Sequence, residues 1–164
     1  MKIGILSDTH NRPAPMKAAL ALLKDAGAEH YLHCGDIGDR DMLDLLAGLP
    51  AGFVWGNTDF DRADLLRYAT QLDITCFGDF GEIELGGKIV GITHGDDGKL
   101  LRRIFDEQRH DYLLLGHTHA ALDDRMGRIH VINPGALHRT ASKTVALLDT
   151  SSDSVRFLEV DDEA

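Results

Sequence analysis

The stretch KIGILSD, residues 2–8, indicates the class of fold, because it is a short, largely apolar run that ends in a carboxylate. Such a run is typical of a buried β-strand. Residues 14–27, APMKAALALLKDAG, then place apolar side chains at helical spacing and end on Gly27, a helix stop signal. A buried strand followed by a helix predicts a crossover to a second, parallel strand.

The same order of strand and helix recurs twice in the first half of the chain. HYLHCGD (residues 30–36) predicts a second strand, and DRDMLDLLAGL (39–49) predicts a helix capped by one of its early aspartates. GFVWGN (52–57) predicts a third strand, and DRADLLRYATQ (61–71) predicts a third helix. Repeated strand–helix units with right-handed crossovers predict a parallel sheet.

The second half of the chain is dominated by hairpin patterns. Paired apolar runs around short turns predict three hairpins, over residues 81–95, 121–135 and 144–160. A helix is expected at residues 99–108, before a buried strand that contains the three leucines of residues 113–115. We therefore predict an α/β fold in one domain, residues 1–164, with helices over a mixed sheet or over a pair of stacked sheets.

The composition limits the classes of protein to which the chain can belong. The sequence has 164 residues and a formal net charge of −10, which argues against non-specific binding to nucleic acids or anionic membranes. Two cysteines, Cys34 and Cys76, are too few for a disulfide scaffold, and the first strand pattern follows Met1 directly without a signal peptide. No apolar run approaches the roughly 20 residues of a membrane span. We expect a soluble cytoplasmic protein.

Side chains that can bind metals follow five of the predicted strands. They are Asp8 and His10, Asp36, Asn57, His94, and the pair His117 and His119. Carboxylates, amide oxygens and imidazoles are metal ligands, and alternate residues of an extended loop point to the same side. The carboxyl ends of strands are also where α/β sheets bind ligands. Neighbouring glycines at positions 35, 56, 95 and 116 permit close approach of the backbone.

Each of these residues also has an ordinary structural explanation. Asp8 could cap the following helix, and His10 could be a polar loop residue. Asp36 and Asn57 have the composition of turns, and the remaining histidines could be hydrogen-bonded at the edge of the core. Five independent turns are a poor explanation for metal-binding side chains at the ends of five predicted strands. The pattern therefore favours a metal site.

The series DxH, GD, GN, H and GHxH resembles the calcineurin-like metallophosphoesterase family, most of all its small single-domain bacterial and archaeal phosphodiesterases. The resemblance runs from Asp8 to His119 and continues into NPGA, residues 133–136. It implies two stacked mixed β-sheets flanked by helices, with two divalent metal ions in a cleft at the strand ends. One ion would be held by Asp8, His10 and His119, and the other by Asn57, His94 and His117, with Asp36 bridging both.

The resemblance also implies the chemistry. Two ions can share a hydroxide that attacks phosphorus, so no serine or cysteine nucleophile is required. The resemblance favours Mn²⁺, although mixed nitrogen and oxygen ligands also suit Fe²⁺, Co²⁺, Ni²⁺ or Zn²⁺. The expected activity is hydrolysis of a small phosphodiester or nucleotide-like substrate, with Asn57 also contacting the substrate. The chain is compatible with a homo-oligomer.

The sequence departs from the family pattern beside two of these motifs. Many relatives have a histidine after the Gly-Asn pair, placed to protonate the leaving group, but this chain has Thr58. Some small relatives have HGH where this chain has Asp96 after Gly95. The general acid is therefore unassigned, and the position of His138, just after NPGA, relative to the cleft becomes important.

Several neighbouring residues have two open interpretations. Asn11 and Arg12 follow the first motif and either contact substrate or belong to an ordinary loop. Asp39, Asp59 and Asp96 either orient metal-binding imidazoles or are exposed loop acids. The histidines outside the motifs are expected to be structural or on the surface: His30, His33, His110, His130 and His138.

A second function is open on the same fold. The small subunit of the eukaryotic retromer coat resembles this fold and serves chiefly as a protein scaffold. A metal-binding scaffold or protein-interaction module with little catalytic activity is therefore the alternative to an enzyme. The seven uninterrupted ligands favour the enzyme, because a scaffold has no physical need for them, whereas Thr58 in place of the usual histidine favours the scaffold.

Overall fold

The computed structural model describes residues 1–161, in which eleven strands and four helices are present. The strands are β1 (Lys2–Leu6), β2 (His30–His33), β3 (Ala51–Phe53), β4 (Thr75–Cys76), β5 (Phe80–Leu85), β6 (Lys88–Thr93), β7 (Tyr112–Leu114), β8 (Leu122–Met126), β9 (Ile129–Asn133), β10 (Thr144–Asp149) and β11 (Ser154–Glu159). The helices are α1 (Pro13–Asp25), α2 (Arg40–Leu46), α3 (Arg62–Gln71) and α4 (Gly98–Glu107). Residues 162–164 of the predicted domain lie outside the described residues.

The strands form two mixed sheets. The first sheet has the order β11-β10-β1-β2-β3-β4, in which β1 to β4 are parallel and β10 and β11 are antiparallel. The second sheet has the order β5-β6-β7-β9-β8, in which the three central strands are parallel and the two outer strands are antiparallel. The expected α/β fold with two mixed sheets is confirmed, and so are the three hairpins.

The side chains of β1 show why the sheets stack. Ile3 and Ile5 belong to the buried cluster between the sheets, together with Ile92 of β6. Leu6 belongs to the cluster on the other face, under α1, α2 and α3. Gly4 also faces α1, where a Cβ atom would lie only 3.0 Å from Cδ1 of Leu23. With α4 packed on the outer face of the second sheet, the molecule has four layers.

Short elements account for the differences from the sequence prediction. The sequence does not predict β4, because two residues carry no periodicity. β7 ends at Leu114, so Leu115 is outside the strand and only partly buried. α1 ends at Asp25, and Gly27 follows with a φ of 91°, as expected for a stop signal. None of the helices in residues 1–161 is long and apolar enough to cross a membrane.

The helix caps test whether Asp8 of the first motif is a cap of α1 or has another role. Asp39 caps α2 as predicted, because its Oδ1 accepts a hydrogen bond from the backbone N–H of Asp41 at 3.1 Å. α1 begins after Arg12 without a side-chain cap. The explanation of Asp8 as the cap of α1 is therefore wrong, and its carboxylate needs another role.

Candidate metal centre

The loops that follow β1, β2, β3, β6 and β7 meet at one place, and each carries at least one predicted ligand. Two groups of residues there could each hold a metal ion, because the potential ligand atoms within each group lie within 4.8 Å of one another. One group is Asp8, His10 and His119, and the other is Asp8, Asp36 and His94. Parallel strands bring these residues together, because their carboxyl ends lie at one edge of each sheet. The fold thus concentrates carboxylates and imidazoles from five distant segments.

The Asp36 carboxylate lies between two imidazoles. Its Oδ2 is 3.5 Å from Nε2 of His10 and 3.2 Å from Nε2 of His94. Its Oδ1 accepts a hydrogen bond from the backbone N–H of Thr58 at 2.9 Å. Burial raises the pKa of Asp36, but the hydrogen bonds from His94 and Thr58 outweigh burial and hold the pKa well below its usual value. Asp36 is therefore an ionised carboxylate whose Oδ2 faces one imidazole of each group, His10 and His94.

The environment of His94 is suited to a cation. Its Nδ1 is 2.7 Å from the carbonyl oxygen of Cys34, so we assign the Nδ1 proton to a hydrogen bond donated to that carbonyl. Its Nε2 faces Oδ2 of Asp36 at 3.2 Å and Oδ1 of Asn57 at 2.9 Å. Burial lowers the pKa of His94, but Asp36 and the Cys34 carbonyl outweigh burial and raise it to about 9. Either a proton or a metal ion must therefore occupy the Nε2 position.

Asp8 is completely buried, and only one of its oxygens is satisfied. Its Oδ2 accepts hydrogen bonds from Oγ of Ser7 at 2.6 Å and from the backbone N–H of His117 at 3.1 Å. Its Oδ1 has no hydrogen-bond partner among the described residues, and neither has Nε2 of His10, 3.7 Å away. Nε2 of His119 is 3.2 Å from the same Oδ1. Buried polar atoms without partners are rare and costly, so these atoms fit a metal ion.

The backbone at the site is strained. Five predicted ligands have φ values in the left-handed region, namely 55°, 45°, 54°, 68° and 62° for Asp8, His10, Asp36, His117 and His119. Residues other than glycine rarely adopt this region, at a cost of about 1–3 kcal/mol each. Their concentration at one place indicates that the fold is built to position these side chains.

Two glycines let the loops approach one another. A Cβ atom at Gly56 would overlap Oδ1 and the backbone nitrogen of Asp36. A Cβ atom at Gly116 would overlap Oγ of Ser7 and lie 2.8 Å from Oδ2 of Asp8. The predicted close approach is confirmed at both glycines, and a side chain at either would displace a carboxylate.

The two remaining predicted ligands lie beside His94. Oδ1 of Asn57 is 2.9 Å from Nε2 of His94, and the Asn57 residue is exposed. The ring centroid of His117 is 5.1 Å from that of His94. All seven predicted ligands are thus brought to one site, with Asn57 and His117 at its exposed rim.

Asp59 is an important residue whose role sequence reasoning misses. It is buried, and its carboxylate accepts hydrogen bonds from the backbone N–H groups of Ile37, Gly38 and Gly56 at 3.3, 3.2 and 2.8 Å. It therefore ties the loop of Asp36 to the loop after β3. Its position in the GNTD motif is the one sequence signal for a role at the site. Two of its partners, Ile37 and Gly38, belong to another loop, so these hydrogen bonds cannot be predicted from local sequence.

Of the two open interpretations of Asp39, Asp59 and Asp96, orientation of an imidazole is not observed for any of them within residues 1–161. Asp59 binds only backbone groups, and Asp39 accepts a hydrogen bond from Nδ2 of Asn11 at 2.7 Å. Asp96 is exposed and forms no hydrogen bond to an imidazole within residues 1–161. Asn11 therefore has a structural role, because it connects the first motif to the start of α2.

Three histidines outside the motifs are structural, as expected. His33 is buried, with Nε2 3.0 Å from Oγ1 of Thr9, and burial together with the nearby charge of His94 lowers its pKa to about 3. His110 and His130 are buried and face carboxylates, as in the 2.8 Å contact of His110 with Glu82.

His138 is different, because it adjoins the metal centre. Its ring centroid is 5.6 Å from that of His10. Burial, and then the positive charge of Arg12, lower the pKa of His138. The expectation of a purely structural or surface position is therefore incomplete.

The sequence also matches a known family over most of its length. Residues 1–153 match the sequence profile of the calcineurin-like phosphoesterase superfamily domain. The chain belongs to this superfamily. It is a small metallophosphoesterase of the archaeal and bacterial type and a hydrolase of phosphoric esters, as the resemblance in the motifs implies.

Individual relatives agree with the family. Phosphodiesterase MJ0936 of Methanocaldococcus jannaschii is 29% identical over 161 residues, which cover 95% of this chain and 97% of that protein. The solved structure of an archaeal phosphodiesterase is 28% identical, with a TM-score of 0.89 over 98% of this chain and 100% of that one. Vps29 from Entamoeba histolytica, at 18% identity, has a TM-score of 0.68 over 98% of this chain and 100% of its own, and shares the fold.

Proposed function

We propose that this metallophosphoesterase is a dinuclear metal-dependent phosphodiesterase. The observation that carries the proposal is the position of Oδ2 of Asp36, within 3.5 Å of Nε2 of both His10 and His94. One carboxylate oxygen between two imidazole nitrogens suits two neighbouring cations. The similar phosphodiesterase of M. jannaschii supports a phosphodiester as substrate.

The donors divide into two sets that share Asp36. Asp8, His10 and His119 would hold one ion, and Asn57, His94 and His117 would hold the other. Nδ1 of His94 and Nδ1 of His119 face backbone carbonyl oxygens at 2.7 and 3.4 Å, which leaves each Nε2 to bind metal. We propose Mn²⁺ as the native metal, with Fe²⁺, Co²⁺, Ni²⁺ and Zn²⁺ as the alternatives to test.

The chain's own groups position these ligands. Two bound ions of this kind would lower the pKa of a shared water molecule and polarise the phosphate oxygens. The Thr58 N–H holds Asp36 through Oδ1, and Ser7 with the His117 N–H holds Asp8 through Oδ2. Each carboxylate therefore turns its other oxygen into the site. Asn57, exposed at the rim, is placed to contact the substrate as well.

The leaving group must depart without an imidazole at position 58. Thr58 is exposed, and a hydroxyl is a poor acid at neutral pH. We therefore propose that esters with good leaving groups react fastest. A small phosphodiester or nucleotide-like molecule is the proposed substrate. We also propose that the protein is cytoplasmic and that residues 1–164 belong to one domain.

A metal titration with two substrates tests this function. Metal-free protein receives Mn²⁺ in steps, and hydrolysis of bis(p-nitrophenyl) phosphate and of p-nitrophenyl phosphate is followed together with bound metal. We expect activity to develop as two ions bind per chain, with the diester preferred. The other four metals are then compared under the same conditions.

The same titration separates the enzyme from the scaffold alternative. Two bound ions without hydrolysis of either ester would favour a metal-binding scaffold or protein-interaction module. Hydrolysis that is unaffected by chelation would contradict both functions.

A further inference from the structure

A groove beside His10 carries an inference about the substrate, and this inference rests on the function proposed above. The groove has a volume of about 320 Å³ and is lined by Arg12, His138 and Lys143 and by the apolar side chains of Pro13, Pro15 and Leu137. Small-molecule sites range from roughly 300 to 1,000 Å³, so the groove can hold part of a substrate. The 5.6 Å ring contact of His138 with His10 joins the groove to the metal centre.

The lining of this groove favours an anion. None of its lining residues is acidic, although the protein has a net charge of −10. Arg12 is exposed and forms no ion pair with the described carboxylates, in contrast to Arg62, which pairs with Asp79. His138 is half-buried, and its ring nitrogens form no hydrogen bond within residues 1–161. α1 also begins here without an acidic residue in its first turn, so its dipole adds to the positive potential.

The groove on the Asn57 and His94 side of the site has the reverse charge. A second groove, which includes residues next to Asn57 and His94, is lined by Trp55 and by three aspartates, Asp79, Asp96 and Asp97. Arg62 also lines it, but its charge is already paired with Asp79 at 2.9 Å. An anion would be repelled on this side and attracted on the side of Arg12.

We propose that the groove of Arg12 and His138 binds a second anionic group of the substrate, a carboxylate or a phosphate, while the scissile phosphodiester lies at the metal centre. The Arg12 guanidinium binds this group through charge-assisted hydrogen bonds, and a ring N–H of His138 donates a further one. The carboxylates of Asp96 and Asp97 disfavour the reversed orientation. The preferred substrate is thus a phosphodiester of which one alcohol carries an additional negative charge.

Three synthetic esters test the inference in the Mn²⁺-loaded protein. Each is a phosphodiester with one p-nitrophenyl ester group. The second ester group is 2-carboxyethyl, 2-phosphonoethyl or the neutral 2-carbamoylethyl. The carboxylate and the carboxamide have the same shape, so their ratio of kcat/KM isolates the charge. We expect a ratio of about ten at low salt, the size of one charge-assisted hydrogen bond. In Arg12→Gln the ratio should fall towards one, whereas Arg156→Gln, an exposed arginine outside the groove, should retain it.

A binding measurement without metal provides an independent readout. Inorganic phosphate is titrated into metal-free protein, and the imidazole resonances of His138 are followed by NMR. We expect a saturable shift in the wild type and in Arg156→Gln, and a much weaker one in Arg12→Gln. Equal shifts in all three proteins, or no shift in any, would overturn the subsite.

The two experiments distinguish failure of the subsite from failure of the proposed function. Hydrolysis of all three esters with equal kcat/KM would overturn the subsite and leave the phosphodiesterase standing. Hydrolysis of none would refute the phosphodiesterase, and the phosphate titration would then decide whether Arg12 and His138 bind an anion.

Discussion

Two clusters of histidine and aspartate lie at opposite ends of the strands and differ in how their atoms are satisfied. At the start of β9, His130 has Nε2 2.6 Å from Asp123 and Nδ1 3.0 Å from Asp153, and Tyr112 also donates to Asp153 at 2.8 Å. At the carboxyl ends, Oδ1 of Asp8 and Nε2 of His10 have no hydrogen-bond partner within residues 1–161.

Hydrogen-bond satisfaction distinguishes a candidate ligand site from other buried polar groups. The His130 cluster satisfies both ring nitrogens with protein groups, so it stabilises the contact of β9 with the β10–β11 turn and needs no ion. In the cluster of Asp8 and Asp36, by contrast, Oδ1 of Asp8 and Nε2 of His10 lie 3.7 Å apart and neither has a hydrogen-bond partner within residues 1–161. Only the second cluster is therefore expected to respond to metal.

The largest expected effect is on activity, from Asp36→Asn. This change removes a negative charge that both ions would share, so we expect loss of at least one ion and a fall in kcat/KM of about 10³-fold or more. Metal analysis and hydrolysis of bis(p-nitrophenyl) phosphate measure the two effects. Asp123→Asn makes the same change in the His130 cluster and should retain two ions and activity; equal losses in both variants would remove the distinction between the clusters.

The next effect is the pH dependence of metal binding. The pKa of His94 in the folded, metal-free protein is about 9, above the ordinary value of 6.5, so a proton competes for Nε2 below pH 9. The affinity for Mn²⁺ should therefore rise about tenfold per pH unit between pH 7 and pH 8.5, measured by calorimetry. A pH-independent affinity would contradict His94 as a ligand.

The same raised pKa has a consequence of opposite sign for the metal-free protein. A histidine whose pKa is raised by folding stabilises the folded state fully below pH 6.5, and this contribution is lost as the pH rises through about 9. The free energy of unfolding in urea should thus decrease over this interval without metal. Mn²⁺ should reverse the trend, because it binds the neutral ring more tightly as the pH rises.

A smaller effect, on stability, is expected for His130→Gln. Two carboxylates lose their buried partner, which should lower the free energy of unfolding by about 1–3 kcal/mol while two ions still bind. His119→Gln is the matched change in the metal centre, and it should weaken metal binding with little effect on the metal-free protein. Urea unfolding and metal analysis of both variants test the contrast, which fails if His130→Gln loses metal.

The smallest effect concerns acid stability at Asp153. Burial raises the pKa of Asp153, but hydrogen bonds from Arg125, His130 and Tyr112 outweigh burial and hold the pKa well below its usual value. A carboxylate whose pKa is lowered by folding stabilises the folded state at pH values above its pKa in the unfolded chain, about 3.9. This stabilisation is lost as the pH falls from there towards the pKa in the folded state. Asp153→Asn should therefore flatten the decrease in unfolding free energy below about pH 4. Because Asp153 is nearly half exposed, the change should be small, and an unaltered acid profile would show that the cluster contributes no pH dependence.

Local sequence patterns predict the order of the strands and helices apart from β4, and they place the seven candidate ligands in loops that follow strands. Apolar periodicity within β1 and α1 reports which faces are buried, and the polar residue that ends each parallel strand must lie at one edge of the sheet. Asp8 and Asp36, which follow neighbouring strands of one sheet, are therefore expected together, whereas His94 follows a strand of the other sheet. The two-residue strand β4 carried no such signal.

The interactions of those residues depend on contacts between loops that are far apart in the sequence. Asp59 binds amides of two loops, His138 adjoins His10, and Arg12 and Asp96 lie on oppositely charged sides of the site. None of these relations follows from local sequence, because each joins segments that are distant along the chain and meet only in the folded structure. Periodicity is a property of one segment, whereas the distance between two loops depends on the packing of all the layers between them.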